Sequence, residues 1–286
     1  MPRFPEPFLD RHWVRRSINV LLAVTSLLAF LFGLASGLPR ERDANLVRIV
    51  VPLLPPQVTI DGRGRETEII RAAFAAQAPQ VRVEFHVMPF TRHWQAYRDD
   101  ERFTAVSTVP RDVELAGARS DVYVRYQNGI FFRRTEFPNG LGASPLQQLG
   151  QLRLVSFAGS TVVLPQLRPL SERARFYIER ADQRAHSVMF ADRFVDAVIA
   201  DELIFDHYTR EGIAQGAALD TNAIAFAPIF CPTPYQLVFR DFARRETFNR
   251  GLQKIKANGV LRRINRAYRQ QRSIGRISQP PRGCPS

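Results

Sequence analysis

The residue best placed to bind a small molecule is Asp201. It follows a short apolar run, residues 197–200, that has an acid on each side and is typical of a buried parallel strand. Open α/β sheets bind their ligands at the carboxyl ends of such strands, where a carboxylate can pair with a cationic group. The alternative is that Asp201 only caps a helix or lies at the surface, as acids in this position often do.

Patterns that would indicate an enzyme or a metal centre are missing from the sequence. The histidines do not form the i, i+4 pair of a helical metal site, and His86 and His93 have no convincing third ligand beside them. A nucleophile elbow, a P-loop, a dinucleotide-binding glycine motif and a C-x-x-C pair are all absent. We therefore expect no catalytic residues, no cofactor and no metal.

The N-terminus has the layout of a secretory signal. Arg15 and Arg16 precede an apolar stretch, residues 18–34, which is followed by the small residues 35–37. We expect residues 1–37 to be removed, leaving a periplasmic protein that begins near Leu38. Because the stretch is close to the lower limit for crossing a bilayer, an uncleaved membrane anchor is the alternative.

The net charge of +13 is concentrated near the C-terminus. Residues 247–286 carry ten lysines and arginines and no acid, while the rest of the mature chain is nearly balanced. An exported protein rarely meets nucleic acid, so we expect a solvated basic helix and tail and no nucleic-acid partner. Weak attraction to a membrane surface is the second interpretation.

The chain has two cysteines, Cys231 and Cys284. In an oxidising compartment they can form one disulfide that ties the C-terminal tail to the body of the protein. A buried free Cys231 with an incidental tail thiol is the alternative, since spacing alone does not fix the geometry.

The order of elements predicts a doubly wound α/β sheet, followed by a second set of strands and helices. In the first part we predict strands at 46–51, 81–87 and 103–106, with helices at 66–78 and 91–99 between them. In the second part we predict strands at 152–157, 187–190 and 197–200, and a helix at 171–180. A strand at 235–240 and a helical segment at 247–268 close the chain.

Several segments occur in the same order as in a known family. They are the "V-D-A-x-x-x-D" run ending at Asp201, the "T-x-x-R" run from Thr108 to Arg111, the "G-S-T" run containing Ser160 and Thr161, and the ending from Lys256 to Tyr268. From residue 46 to 268 the chain thus resembles the family 3 extracellular solute-binding proteins, the amino-acid receptors of bacterial importers.

The resemblance implies a two-lobed fold of the periplasmic-binding-protein type, each lobe a mixed sheet flanked by helices. Lobe 1 would comprise residues 46–132 and 238–270, and lobe 2 residues 133–237, with hinges near 131–133 and 235–237. Residues 271–286 would be a C-terminal tail.

The resemblance also implies a ligand site between the lobes. Arg111 would hold the ligand's carboxylate with two parallel hydrogen bonds, assisted by Ser160 and Thr161, and Asp201 would face its ammonium group. Thr108 belongs to the same motif as Arg111, and by position Phe90 or Tyr123 would line the cleft.

The implied function is the capture of an amino acid or similar small carboxylate by a monomeric protein that delivers it to a membrane permease. A membrane-anchored sensor or orphan binding module of the same fold is the alternative, and an exported enzyme is a weaker one. The chain departs from the family pattern at Gln57, where an aromatic is usual, at Thr104, where an acid is usual, and in a short segment before Arg111.

Overall fold

The computed structural model describes residues 45–142 and 144–284, and the structural statements below concern these residues. The expected signal segment, residues 1–37, lies outside them. Within the described residues, none of the helices combines the length and the apolar character needed to cross a membrane.

The first of two sheets lies in lobe 1. Its strands run in the order β2-β1-β3-β11-β4, with β5 also paired to β11. Strands β1 and β3 are parallel, whereas β11 returns antiparallel to β3. The elements of this lobe are β1 (Leu46–Pro52), α1 (Arg65–Gln77), β2 (Arg82–Met88), α2 (His93–Asp99), β3 (Ala105–Pro110), β4 (Ala118–Arg119), β5 (Val124–Tyr126), β11 (Thr233–Phe239), α8 (Phe242–Ala257) and α9 (Val260–Gln270).

Helices α1 and α8 pack closely on this sheet. Gly251 in α8 lies so near the backbone of α1 that a Cβ there would come within 1.9 Å of the Ala73 carbonyl oxygen. The rings of Phe74 and Phe248 meet at 5.7 Å between centroids, with Phe239 from β11 beside both. This apolar layer packs the second half of α1 against α8 and β11.

The second sheet lies in lobe 2, with the strand order β12-β10-β6-β9-β7-β8. Strand β9 is central and buried along its whole length, as the apolar run before Asp201 predicts. The elements of this lobe are β6 (Asn128–Arg133), α3 (Pro145–Leu149), β7 (Arg153–Phe157), α4 (Ser160–Val163), α5 (Arg168–Arg173), β8 (Phe176–Arg180), α6 (Arg184–Ala191), β9 (Ala197–Asp201), α7 (Glu202–Ala214), β10 (Ile224–Ala227) and β12 (Gly275–Arg276).

Two sheets flanked by helices confirm the predicted two-lobed α/β architecture. The chain crosses between the lobes earlier than the sequence pattern indicates. Residues 128–132 pair with β9, so the first crossing is at Gln127 and not after residue 132. Tyr235 pairs with Pro110 and Val124 of lobe 1, so the second crossing lies in residues 228–232 and not at 237.

Two elements of lobe 2 differ from the sequence prediction. The helix expected over residues 171–180 is the short helix α5 followed by strand β8, and the strand expected over 187–190 lies within helix α6. Strand β8 is at the edge of the sheet and only partly buried, so it lacks the apolar alternation of an internal strand. In α6, Ser187 and Phe190 are buried three residues apart, which is a helical period.

The C-terminal tail is anchored on lobe 2. After α9, the backbone N–H groups of Ser273 and Ile274 donate to Asp206 of α7, at 2.8 and 2.7 Å. Strand β12 then pairs with β10. Cys284 forms a disulfide with Cys231, which lies in the second crossing between the lobes.

We expect the disulfide to contribute to stability because it closes a loop across 53 positions of sequence. Replacing both cysteines (Cys231→Ser with Cys284→Ser) should lower the free energy of unfolding by about 2–4 kcal/mol, measured by denaturant titration. A reductant should reproduce the loss in the wild type and change nothing in the double variant. An unchanged free energy in that variant would show that β12 and the Asp206 contacts hold the tail without the disulfide.

Candidate ligand-binding cleft

Asp201 lies at the carboxyl end of β9, where it is the N-cap of α7. Its Oδ1 accepts hydrogen bonds from the backbone N–H groups of Leu203 and Ile204, at 3.0 and 3.1 Å. The side chain thus has the capping role that the sequence left open as an alternative. It is nevertheless only 3 % exposed, and it lines the cavity between the two lobes.

Burial raises the pKa of Asp201 to about 6, from its ordinary value of 3.8. The nearby charge of Arg65 opposes this shift, as do the two backbone hydrogen bonds, while Glu202 adds to it. An acid that serves only as a helix cap has no need to be taken out of water. The combination of a cap and a costly burial therefore marks Asp201 as a candidate binding residue.

Gln57 of lobe 1 reaches Asp201 across the cleft, with its Nε2 donating to Oδ1 at 3.2 Å. It follows the cis bond between Pro55 and Pro56, and its own carbonyl accepts from the N–H of Glu66. Gly64 lies against the same backbone with φ of 129°, and a Cβ there would come within 2.4 Å of the Gln57 carbonyl oxygen. The turn and the start of α1 thus fix Gln57 at the position where the family has an aromatic.

Aromatic side chains form the walls of the cleft. Phe90 of lobe 1 meets Phe157 of lobe 2 edge to face, at 6.4 Å between ring centroids, and Tyr126 packs on Tyr235 at 4.6 Å. The cavity between them is about 10 Å³, enough for roughly one water molecule. Its lining consists of Leu54, Phe90, Tyr126, Asn128, Phe157, Gln183, Asp201, Ile204 and Tyr235.

A second buried acid, Glu66, lies at the start of α1. Its carboxylate accepts hydrogen bonds from the hydroxyls of Thr108 (2.8 Å), Tyr123 (2.5 Å) and Tyr126. Burial raises the pKa of Glu66, and the three hydroxyl donors and Arg65 oppose the shift. Because Tyr126 also lines the cleft, this network supports the wall opposite Asp201.

Arg65 carries a buried positive charge beside both acids. Its Nη2 donates to the carbonyl of Arg125 at 2.9 Å, and its guanidinium lies over the ring of Tyr126, 5.6 Å from the centroid. The same charge opposes the rise in the pKa of Asp201 and of Glu66 that burial causes. Arg65 therefore offsets part of the cost of burying the two acids.

The structure does not place Arg111 in the cleft. Strand β3 continues to Pro110, which pairs with Tyr235, so Arg111 lies in the exposed turn beyond the strand. There it lines a surface depression with Arg98, Glu114 and Arg119. The segment between β3 and β4 forms no helix that would turn Arg111 back toward the cleft. Thr108 is instead a buried strand residue that donates to Glu66.

Ser160 and Thr161 also have a partner within the protein, the carboxylate of Glu179. Glu179 accepts from the N–H of Gly159 (2.7 Å), the hydroxyl of Ser160 (2.7 Å) and the N–H of Thr161 (3.1 Å). In the family these donors are expected to meet the ligand's carboxylate. Here a side chain of β8 occupies them.

The structure thus brings Asp201 and Phe90 together in the cleft and leaves Arg111 outside it. Sequence reasoning missed Gln183 and Tyr235, which line the cleft, and Arg65 and Glu66, which contact Tyr126 in its wall. It noted Gln57 only as a departure from the family. The sequence did contain a signal for Arg65 and Glu66. They are charged residues that directly follow a Gly-containing turn, at the point where a helix of lobe 1 begins. Nothing local in the sequence marks Gln183.

Comparison with known proteins supports the fold. The sequence matches no protein-family model and no curated protein. In structure, the chain is similar to an ancestral arginine-binding protein bound to arginine, with 19% identity, 78% of this chain and 98% of that chain covered, and a TM-score of 0.61. It is also similar to an amino acid ABC transporter substrate-binding protein from Streptococcus pneumoniae bound to L-arginine (17% identity, 82% and 98% covered, TM-score 0.57).

A third similar structure is a histidine kinase sensor domain that itself resembles periplasmic binding proteins. It has 15% identity to this chain, with 78% of this chain and 95% of that chain covered and a TM-score of 0.60. The three structures share one architecture, and the chain described here has it too: the type II periplasmic-binding-protein fold.

The buried charge of Asp201 should make the free energy of unfolding depend on pH. Because the folded-state pKa of about 6 lies above the ordinary 3.8, ionisation destabilises the fold; the penalty is complete above about pH 6 and absent below about pH 4. Asp201→Asn keeps a good N-cap and removes the charge. At pH 7 it should raise the free energy of unfolding by about 1–3 kcal/mol.

Denaturant titrations at pH 4 and pH 7 measure this difference, and the gain should vanish at pH 4. Asp112→Asn, in an exposed turn, is the matched control and should change stability little at either pH. If Asp201→Asn is less stable than wild type at pH 7, the carboxylate is a structural cap and not a strained binding group.

Proposed function

We propose that this protein is an exported solute-binding protein that captures a small solute bearing an amino group between its two lobes and presents it to a membrane transporter. The observation that carries the proposal is Asp201, an acid buried at the end of a central strand and facing a cleft with aromatic walls. Arginine-bound proteins among the structural neighbours support amine recognition in this fold.

Binding requires the lobes to separate. The cavity of about 10 Å³ is far smaller than the several hundred Å³ of an ordinary ligand pocket. The contacts that close it, from Gln57 to Asp201 and from Phe90 to Phe157, each join one lobe to the other. Rotation about Gln127 and residues 228–232 opens both contacts at once, after which a solute can take the place of Gln57 at the carboxylate.

The solute's ammonium group pairs with Asp201 on closure. Removal of water strengthens this pairing, because the attraction between opposite charges grows as the local dielectric constant falls. The positive charge also relieves the unfavourable burial of the carboxylate. Closure around the correct solute is thereby favoured over the collapsed cleft.

Loss of the charge should abolish binding. For any solute that raises the melting temperature of the wild type, Asp201→Asn should weaken binding by about 30-fold to several thousand-fold, measured by titration calorimetry, because it removes one partner of a buried charged pair. A panel of amino acids, small amines and small carboxylates identifies the responding solutes, and native mass spectrometry of the purified protein reveals any that co-purify.

Arg111→Ala is the matched control, since the resemblance assigns Arg111 to the ligand whereas the structure places it on the surface. It should leave the affinity unchanged. Should Arg111→Ala abolish binding while Asp201→Asn does not, the site is assigned to the wrong residues.

A sensor module is the second candidate, favoured by the similarity to a histidine kinase sensor domain and by the apolar stretch at residues 18–34. The two candidates predict different N-termini. We expect the mature protein to begin near Leu38, as intact mass of the expressed full chain will show. Retention of residues 1–34 in a membrane fraction would replace the transport function with the sensor function.

A further inference from the structure

We infer that the solute is an organic amine that lacks an α-carboxylate, held by its ammonium group between Asp201 and the side-chain amide oxygens of Gln57 and Gln183. This inference rests on the proposed function and goes beyond it, because the resemblance and the similar structures point to amino acids.

The first argument is the set of acceptors at the cleft. Gln57 is fully buried, and Gln183, which lines the cavity, is 5 % exposed. Among the described residues, neither Gln57 Oε1 nor Gln183 Oε1 has a hydrogen-bond partner. Gln57 donates to Asp201 through its other amide atom, and Gln183 lines the same cavity as Asp201. Buried polar atoms are normally paired, so an unpaired oxygen on each of these two side chains indicates missing donors. An ammonium group carries three N–H donors and no acceptor, which matches these three groups.

The second argument is charge. Among the residues that line the cavity in the described chain, Asp201 is the one charged side chain. Glu202, which adjoins Asp201, is already paired with Arg272 and Arg276, each at 2.7 Å. The lining therefore favours a cationic group against Asp201, whereas the α-carboxylate of an amino acid would bring in a second negative charge with no cation in the lining to pair with it.

The third argument is the absence of a free carboxylate site in the expected places. Arg111 lies outside the cleft, and Glu179 occupies the Gly159, Ser160 and Thr161 donors. Arg65 is the remaining buried guanidinium near Asp201 in the described chain. A ligand carboxylate placed against Arg65 would also lie beside Glu66, and the two carboxylates would repel each other.

The fourth argument is the apolar lining. Phe90, Phe157, Tyr126 and Tyr235 surround the acid, and aromatic faces attract cations as well as hydrocarbon. An alkyl or aromatic body attached to the ammonium group fits these walls.

Matched pairs of ligands test the inference directly, since each pair differs only in the carboxylate. The probes are histidine with histamine and phenylalanine with phenethylamine, whose amines each carry one positive charge at pH 7.5. By titration calorimetry at pH 7.5, the amine of at least one pair should bind wild-type protein about tenfold or more tightly than its amino acid. Affinity for that amine should fall as the pH drops below about 6, because Asp201 then takes up a proton. Arg65, Glu202 and Tyr235 are the ionisable groups near Asp201.

The role of Glu179 has its own test. Glu179→Ala frees the donors of Gly159, Ser160 and Thr161, so the preference for the amine over the amino acid should shrink by about tenfold. Glu172→Ala, an exposed acid on α5, is the matched control and should leave the preference unchanged. An unchanged preference in Glu179→Ala, with the fold intact by circular dichroism, would overturn the role given to Glu179.

The outcomes separate this inference from the proposed function. If an amino acid binds wild type as tightly as its amine or more tightly, the inference is wrong and the proposed function stands; loss of that binding in Arg65→Gln would then assign the carboxylate to Arg65. If no solute of the panel binds and none co-purifies, the proposed function falls and the inference falls with it.

Discussion

The carboxylate of Asp201, taken out of water at the end of β9, is the constraint on which the rest of the site depends. A charged group there is tolerated only because donors converge on it: two backbone N–H groups of α7 and the amide of Gln57. Each donor needs its own support. The α7 donors depend on the strand that precedes them, and Gln57 depends on the proline turn and on Gly64, whose backbone approach leaves no room for a side chain. The sequence features of both lobes therefore converge on one oxygen atom, Oδ1 of Asp201.

The C-terminal tail extends this constraint to lobe 2 as a whole. It leaves α9 of lobe 1, binds Asp206 and Glu202 on α7, pairs with β10 and ends in a disulfide at the second crossing. Glu202 adjoins Asp201, and an uncompensated charge there would raise the energy of the site further. Arg272 and Arg276 reduce that penalty because both pair with Glu202. Part of the basic C-terminus, which composition alone presents as a solvated run, thus acts as a counter-charge inside the fold.

The sequence predicts the architecture and Asp201 because both depend on local patterns, a buried strand and the residue that ends it. It fails where a role depends on pairing between distant segments. Glu179 reaches Ser160 only because β8 lies parallel to β7, in the register that pairs Arg180 with Phe157. The sequence of β8, the half-exposed edge strand that carries Glu179, predicts a helix. The prediction for Arg111 fails for a related reason. The motif is present in the sequence, but β3 extends two residues past Thr108 and no helix follows, so the guanidinium lies outside the cleft.

The same failures show that two polar residues can keep their places in the fold and serve different partners. Thr108 keeps its place at the end of β3, yet its hydroxyl donates to Glu66 and so stabilises a negative charge in lobe 1. Ser160 keeps its place after β7, yet it serves Glu179 in lobe 2. Thr108 and Ser160, the donors that the resemblance would assign to an anionic ligand, thus donate to the protein's own acids. Asp201, the acid that the resemblance would place against a cation, is still present in the cleft. At 15–19% identity to the three similar structures, this chain shares their fold. Under the proposed function, the charge of the solute follows from which acids the cleft retains and which of its donors they have already taken.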